Sequence, residues 1–317
     1  MLRFASDMRG GLSMCPICRR VLTVALGTVA IFTGPASAAD PSLNVMTINL
    51  EHKDRPRELR VTADYLREQL EKVPDFILCQ EVKFERNDAL APNTAAVLAR
   101  ELGYDCKGTR RKSDNEGVAI ISRYPFLYYD ELHLKAQTSA LLLGFNRVSV
   151  MGEFFVPKLG RVRVVNVHFT NWAFEHRIRD KQLAETLQWI DQRQAKAHAA
   201  ITFFGGDFNA KHNWNEMKQL SDGATQMAFE DYNGVDPTHG SPGSPRKRID
   251  FIFVSAANRL LFGGEQILFK DALKDGDSSF HLSDHCAVLH RYGLKVAGGP
   301  AAVSQGPAPE PKPLISR

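Results

Sequence analysis

Short apolar runs recur along the chain at residues 44–50, 75–82, 118–126, 149–156, 161–169, 201–208, 248–255 and 286–294. Their length and their Val, Ile and Phe content predict strands. Residues 57–72, 89–102 and 176–198 instead repeat apolar side chains at helical spacing. Strands interleaved with helices predict a layered α/β or mixed α+β domain. Residues 210–247 carry few periodic apolar positions and lead into the turn-rich segment 236–248, so they read as loop with one short helix. No internal repeat is present.

The two ends break this pattern. Arg19 and Arg20 precede 13 largely apolar residues, 21–33, followed by Gly34, Pro35 and Ala36-Ser37-Ala38. A basic segment, a short apolar segment and a small-x-small site, in that order, predict a secretory signal peptide over residues 1–38. The alternative for the apolar run is a buried core helix. Met14 offers a second start. Cys15 and Cys18 lie ahead of the apolar run, where a lipid-attachment cysteine does not fall. A signal peptide places the mature chain in a periplasm or outside the cell. The run is shorter than the roughly 20 residues of a membrane span. The last 21 residues, from Ala297, hold five prolines and little to bury, so 297–317 reads as a disordered tail. The expected folded domain is 40–296.

Composition changes the picture in two places. With 317 residues, 44% hydrophobic and 24% charged, collagen-like, coiled-coil and disordered chains are excluded. The net charge is +4, but residues 1–38 hold four arginines against one aspartate, leaving +1 for the remainder. Net charge therefore gives no argument for nucleic-acid binding; that needs a local patch. Cys79, Cys106 and Cys286 remain after cleavage. Cys79 and Cys286 sit in apolar runs, as buried thiols do. Two of the three pairing, with one left over, is the alternative for an exported protein.

Chemistry enters at the strand ends. The run at 44–50 ends near Asn49, 75–82 near Glu81, 161–169 near His168, and 201–208 runs through Asp207 toward Asn209. Asp250 opens 248–255, and Asp284 and His285 precede 286–294. Singly, each has a plain explanation. Asp207 and Asn209 after two glycines resemble turn chemistry, Asp250 has Arg248 nearby, and His168 reads as a core histidine. In a layered fold strand ends converge on one rim, so together they form a candidate site. Carboxylates, histidines and asparagines suit a hard divalent cation with acid–base chemistry on phosphate.

The motifs around these residues, in order, are TINLE at Asn49, CQE at Glu81, GVAIISRYP at 117–125, VNVHFTNW at His168, GGDFNA at 205–210, RIDFIFV at Asp250 and LSDHCAV at His285. In this order the chain resembles the endonuclease/exonuclease/phosphatase superfamily, with its deoxyribonuclease-I-like fold, over about 44–290. The resemblance implies a four-layer sandwich: two mixed β-sheets packed face to face and flanked by helices, with the site at one rim.

It also implies roles. Glu81, with Asn49 and Asp284, would hold Mg²⁺ or Mn²⁺. Asp207 would orient or deprotonate the attacking water, and Asn209 would donate to the phosphate. His285, held by Asp250, would bind the phosphate and stabilise the transition state; His168 would bind a phosphoryl oxygen or assist the leaving group. No covalent enzyme intermediate is needed. A binding module that had lost the chemistry would lack Glu81, Asp207 or His285, and all three are present.

The motifs name a reaction class, and the substrate rests on loops. Basic clusters lie at Arg110-Arg111-Lys112 and Arg246-Lys247-Arg248. Arg110, Arg111, Arg246 and Arg248 are candidates for a nucleic-acid backbone or an anionic lipid headgroup; a solvated face is the alternative. Trp172 and Trp214 are candidates for stacking on a base or resting at a lipid interface. The expectation is an exported, monomeric, metal-dependent phosphodiester hydrolase, a DNA or RNA nuclease first, with lipid-headgroup, inositol or small-molecule phosphoesters as the alternative.

Overall fold

The protein is described by a computed structural model. It covers residues 42–295 except 86–92, 113, 137–145, 172–175, 221–226 and 256–258. The predicted signal peptide, the predicted tail and residues 89–92 of the second predicted helix lie outside the described residues.

In chain order the first half runs β1 (Ser42–Asn49), α1 (Pro56–Gln69), β2 (Phe76–Lys83), α2 (Thr94–Leu102), β3 (Asp105–Arg110), β4 (Glu116–Ser122), β5 (Phe126–His133), β6 (Val148–Val156) and β7 (Gly160–His168). The second half runs α3 (His176–Lys196), β8 (Ile201–Asp207), α4 (Asn215–Lys218), β9 (Glu230–Asp231), β10 (His239–Ser241), β11 (Ser244–Lys247), β12 (Asp250–Ser255), β13 (Leu260–Leu268), β14 (Leu273–Asp275), β15 (Ser278–Phe280) and β16 (Ala287–Leu294). All eight predicted strands form, and α4 is the short helix expected in 210–247.

Two six-stranded sheets result, with orders β13-β16-β1-β2-β4-β3 and β5-β6-β7-β8-β12-β9. Each is mixed: β1 with β2 and β7 with β8 are parallel, while their other neighbours are antiparallel. One core, including Val45, Phe76, Ile120, Val150, Val164, Phe203, Ile252 and Val288, fills the space between the sheets. A second lies between the first sheet and α1 and α2, around Met46, Ala63, Leu66, Leu98 and Ile121. A third joins α3 to the second sheet through Leu183, Leu187, Ile190, Val165 and Phe204. Strands covered on both faces read as continuous apolar runs, which is why these eight were legible. The order helices, sheet, sheet, helix is the expected four-layer sandwich.

One polar contact pins the sheets together. Asn166 Nδ2 donates to the carbonyls of Cys79 (2.9 Å) and Ala119 (2.8 Å), and its Oδ1 accepts from Gln80 Nε2 at 2.6 Å. Buried amides are tolerated only when satisfied in this way. Among the described residues Cys79, Cys106 and Cys286 are free thiols; Cys79 and Cys286 are buried as expected.

Candidate active site

Strand register assembles the site. In the second sheet His168 pairs across to Asp207, and Asp207 across to Asp250, so three titratable side chains from β7, β8 and β12 stand side by side. All three are buried. Gly206 makes this possible: its φ is 139° and a Cβ there would lie 2.1 Å from the Val167 carbonyl oxygen. Beyond β8, Asn209 adopts φ 50°. Its N–H donates to Asp207 Oδ1 at 2.8 Å, and its Nδ2 donates to the Phe169 carbonyl at 3.1 Å.

The first sheet supplies the facing carboxylate. β1 and β2 run parallel with Asn49 opposite Gln80. The β2–β4 ladder shifts register between Cys79 and Val82, and Glu81 within that bulge has φ 48°. A bulge re-aims a side chain; here it leaves Glu81 23% exposed at the rim. Asn49 Nδ2 donates to Glu81 Oε1 (3.0 Å) and to Asp207 Oδ2 (3.2 Å), while its Oδ1 accepts from Glu51 N–H at 2.9 Å. In this orientation Asn49 bridges the two carboxylates through its nitrogen rather than presenting its oxygen to a cation.

His285 precedes β16 and donates through Nδ1 to Asp250, 3.0 Å from Oδ2 and 3.2 Å from Oδ1. Its Nε2 lies 3.9 Å from Asp207 Oδ2 and from Asp284 Oδ1. Burial opposes its charge, but Asp250, then Asp207 and Asp284, override this and raise its pKa to about 10. His285 is therefore an imidazolium at neutral pH. Asp207 is pushed up to about 7 by burial and by the Asp250 charge. Asp250 is held in turn by Thr238, whose hydroxyl donates to Oδ2 at 2.6 Å. The Thr238 carbonyl accepts from Cys286 N–H at 2.6 Å, so the 236–241 loop and the Asp284-His285 turn are clipped together.

His168 differs from His285. Burial, then Arg147 and Arg111, hold its pKa well below the ordinary imidazole value, so it is neutral. Arg147 Nη1 is 3.1 Å from both ring nitrogens, and so faces the ring instead of lying along one lone pair. Arg147 is itself buried, 3.8 Å from Glu116 Oε1, and its Nε has no hydrogen-bond partner among the described residues. Burial raises the Glu116 carboxyl despite the opposing Arg111.

Among the described residues, three groups of side chains bring ligand atoms within 4.8 Å of one another: His52, Glu81 and Glu116; His239, Asp284 and His285; and Asp207, Asp250 and His285. The third is the buried hydrogen-bonded cluster just described. Glu81 and Asp284, expected to share an ion, fall in different groups. Both are partly exposed to the cleft, and their hard carboxylate oxygens fit a cation that keeps several waters.

Two cavities meet at Glu81 and Asn171. One, about 460 Å³, is lined by Asp207, Asn209, Lys211, Trp214, Lys247, Asp284 and His285 among others. The other, about 520 Å³, holds His52, Lys83, Arg111, Glu116 and Arg147. The structure thus gathers Asn49, Glu81, His168, Asp207, Asn209, Asp250, Asp284 and His285 at one rim.

The basic clusters fare differently. Arg248 is not a substrate contact: it is buried, pairs with Glu265 at 2.6 Å and donates from Nε to the Asp250 carbonyl at 2.9 Å. Arg246 and Arg110 are exposed and line neither cavity. Arg111 lines the second cavity but is buried and ion-paired with Asp114 and Glu116. Trp214 lines the first cavity with the Arg179 guanidinium 5.0 Å over its ring; Trp172 lies outside the described residues. Sequence reasoning missed His52, Glu116, Arg147, Thr238 and Lys211. A lone Arg or Thr carries no signal by itself. His52, beside TINLE and in the left-handed region at φ 55°, was the most findable.

Fold and site together define a phosphoester hydrolase. Residues 46–285 match the Endonuclease/Exonuclease/phosphatase family, and the chain belongs to it; this family is divalent-metal dependent. The catalytic domain of human Nocturnin, solved with bound sulfate, is similar at 18% identity over 81% of this chain and 97% of its own, TM-score 0.59. Truncated TDP2 from Caenorhabditis elegans is 19% identical over 80% and 97%, TM-score 0.58. A mannosyl-6-phosphatase from Bacteroides thetaiotaomicron is 17% identical over 80% and 100%, TM-score 0.59. At these identities the likeness shows the fold. No curated protein matches by sequence. No helix among the described residues is long and apolar enough to cross a membrane.

Proposed function

We propose that this protein is an exported Mg²⁺- or Mn²⁺-dependent phosphoester hydrolase. The observation that carries the reading is the His285–Asp250 pair, with His285 Nε2 turned toward Asp207 at the mouth of the first cavity. His285, charged at neutral pH, donates to a phosphoryl oxygen with Asn209, and Lys211 and Lys247 add positive charge beside it. Asp207, with its pKa near 7, is suited to accept a proton from the attacking water. His168, neutral and backed by Arg147, offers hydrogen bonds without charge. Glu81 and Asp284 would hold the cation, which when bound neutralises charge developing on phosphoryl and leaving oxygens.

Two of the four arginines considered for a nucleic-acid backbone, Arg111 and Arg248, are engaged by carboxylates. This favours compact phosphoesters over long nucleic acid. The test is phosphate release from p-nitrophenyl phosphate, cleavage of bis(p-nitrophenyl) phosphate and nicking of plasmid, each with Mg²⁺, with EDTA and in His285→Ala. Turnover of at least one of the two small esters should need metal and fall about 10²–10⁴-fold without His285. EDTA-resistant turnover, or a folded His285→Ala protein of near-normal rate, refutes the proposal. Export predicts a mature chain beginning at Ala39, read by N-terminal sequencing.

A further inference from the structure

The end of β12 that carries Asp250 is an open sheet edge. Its outer neighbour β9 pairs only with Phe253 and Val254, so among the described residues no strand flanks 250–252 on that side. The backbone of Asp250 and Ile252 still finds partners there, and they are side chains. Asp250 N–H donates to Thr238 Oγ1 at 3.4 Å, and its carbonyl accepts from Arg248 Nε at 2.9 Å. Ile252 N–H donates to Asn233 Oδ1 at 2.9 Å, and its carbonyl accepts from Asn233 Nδ2 at 2.8 Å. Buried backbone groups need such partners. Three side chains therefore stand in for a strand at the place where the carboxylate that orients His285 is mounted.

Arg248 is the centre of this substitute edge, and Glu265 holds it. Glu265 Oε1 accepts from Arg248 Nη1 at 3.0 Å and Oε2 accepts from Nη2 at 2.6 Å, a bidentate pair. The same guanidinium donates to the Asp236 carbonyl at 3.1 Å and to Asn233 Oδ1 at 3.3 Å. Glu265 Oε2 also accepts from Gly234 N–H at 3.2 Å. One ion pair thus fastens residues 233, 234 and 236 of the loop that brings Thr238 to Asp250. Glu265 is itself fixed by His290, whose Nε2 donates to Oε2 at 3.0 Å while its Nδ1 accepts from the Tyr292 hydroxyl at 2.9 Å. Glu265, His290 and Tyr292 belong to the first sheet, Asp250 to the second. Glu265 and Arg248 line neither cavity. A buried ion pair often adds no more stability than apolar packing of the same volume, so stability alone does not account for a pair whose contacts converge on the mounting of Asp250. We infer that Glu265 is a positioning residue of the hydrolase: through Arg248 it fixes the start of β12 and the 233–238 loop, so that Asp250 and Thr238 hold His285 in the orientation its phosphate contact needs.

This inference rests on the hydrolase reading, and the experiment separates the two. Glu265→Gln keeps the shape of the side chain and removes its charge. Arg248→Lys keeps the charge of the pair but lacks the fork that reaches Glu265 and the Asp250 carbonyl together. With Mg²⁺ and whichever p-nitrophenyl ester the wild type cleaves, each variant should lower kcat about tenfold or more and leave KM within about twofold, because a small misplacement of a catalytic group is felt in the transition state. The double variant should be no slower than the slower single one, since both act along one path. In metal-free protein the downfield proton NMR signal of His285 Nδ1–H, identified by its absence in His285→Ala, should shift or broaden in both variants. A purely structural role predicts a lower melting temperature with kcat unchanged well below it and the signal unmoved; that result overturns the inference and leaves the hydrolase intact. Losses that multiply in the double variant overturn it too. Should Glu265→Gln fail to fold, Arg248→Lys, which leaves no buried charge unpaired, carries the test. If the wild type cleaves no phosphoester with metal present, the hydrolase reading falls and the catalytic role of Glu265 with it.

Discussion

Replacing Asp250 by Asn keeps the shape of the side chain and removes its charge. The rise of His285 from 6.5 to about 10 amounts to about 5 kcal/mol of preference for the charged ring. Burial works against that preference, and Asp250 is the largest contribution in its favour, ahead of Asp207 and Asp284. Losing Asp250 lowers the ring toward its ordinary value, and a variant ring at 6.5 sets the scale of the effect. At pH 6 most of the variant still carries imidazolium. At pH 8 only about 3% does, a loss of roughly 30-fold from protonation alone. The defect should therefore deepen about tenfold per pH unit above 6.5 and level off near pH 10. Asp207 falls as well, because the Asp250 charge helps hold it near 7, so the acid limb moves down with the alkaline one. The assay is the pH profile of kcat/KM on an activated phosphoester with saturating Mg²⁺, for wild type and Asp250→Asn. A defect of the same factor at pH 6 and pH 8 refutes the electrostatic argument and leaves Asp250 a purely steric role.

Thr238→Val removes the 2.6 Å hydrogen bond to Asp250 and should lower kcat about fivefold for about 1 kcal/mol of lost positioning; an unchanged kcat in folded protein refutes this. Asn166→Leu strips the carbonyls of Cys79 and Ala119 of their shared donor and should cost about 1–3 kcal/mol in denaturant unfolding, with an unchanged midpoint as the contrary result. Stability should peak in mildly acidic buffer. His285 is raised on folding, so its contribution is complete below 6.5 and lost as pH rises through about 10; Asp207, also raised, is lost through about 7. Against the opposing effect of burial, Glu153 is held down to about 2 by Arg193, Arg163 and Arg161, and Glu265 to about 2 by His290 and then Arg248, so theirs is complete above 4.5 and lost as pH falls through about 2. Thermal unfolding from pH 2 to 10 checks the shape, and a midpoint that climbs steadily to pH 9 contradicts it.

The eight central strands and most of the rim were legible in the sequence because one physical rule wrote both. A strand buried on two faces must be apolar through its middle, and a carboxylate or histidine is tolerated only where it meets water or a partner. Asn49, Glu81, His168, Asp207, Asp250 and His285 stood out as polar residues beside apolar runs. β3, β5 and β13 did not. They are edge or near-edge strands whose residues are mostly partly exposed, so they alternate weakly and carry polar residues throughout.

What only tertiary structure decided was partnership. Arg248 and Lys247 are neighbours in a basic triplet, yet one is buried against Glu265 and the other lines the cleft. Net charge and local composition contain no information about that choice. It depends on Glu265 in β13, which sheet pairing with β16 brings within reach of the start of β12. The same holds for Arg147 over His168, Thr238 beneath Asp250, and the amide of Asn49 turned to span two sheets. Hydrophobic patterning acts along the chain and can be read there. Hydrogen bonds and ion pairs act over a few ångströms between residues far apart in sequence, and they become visible only once the strands have set their register.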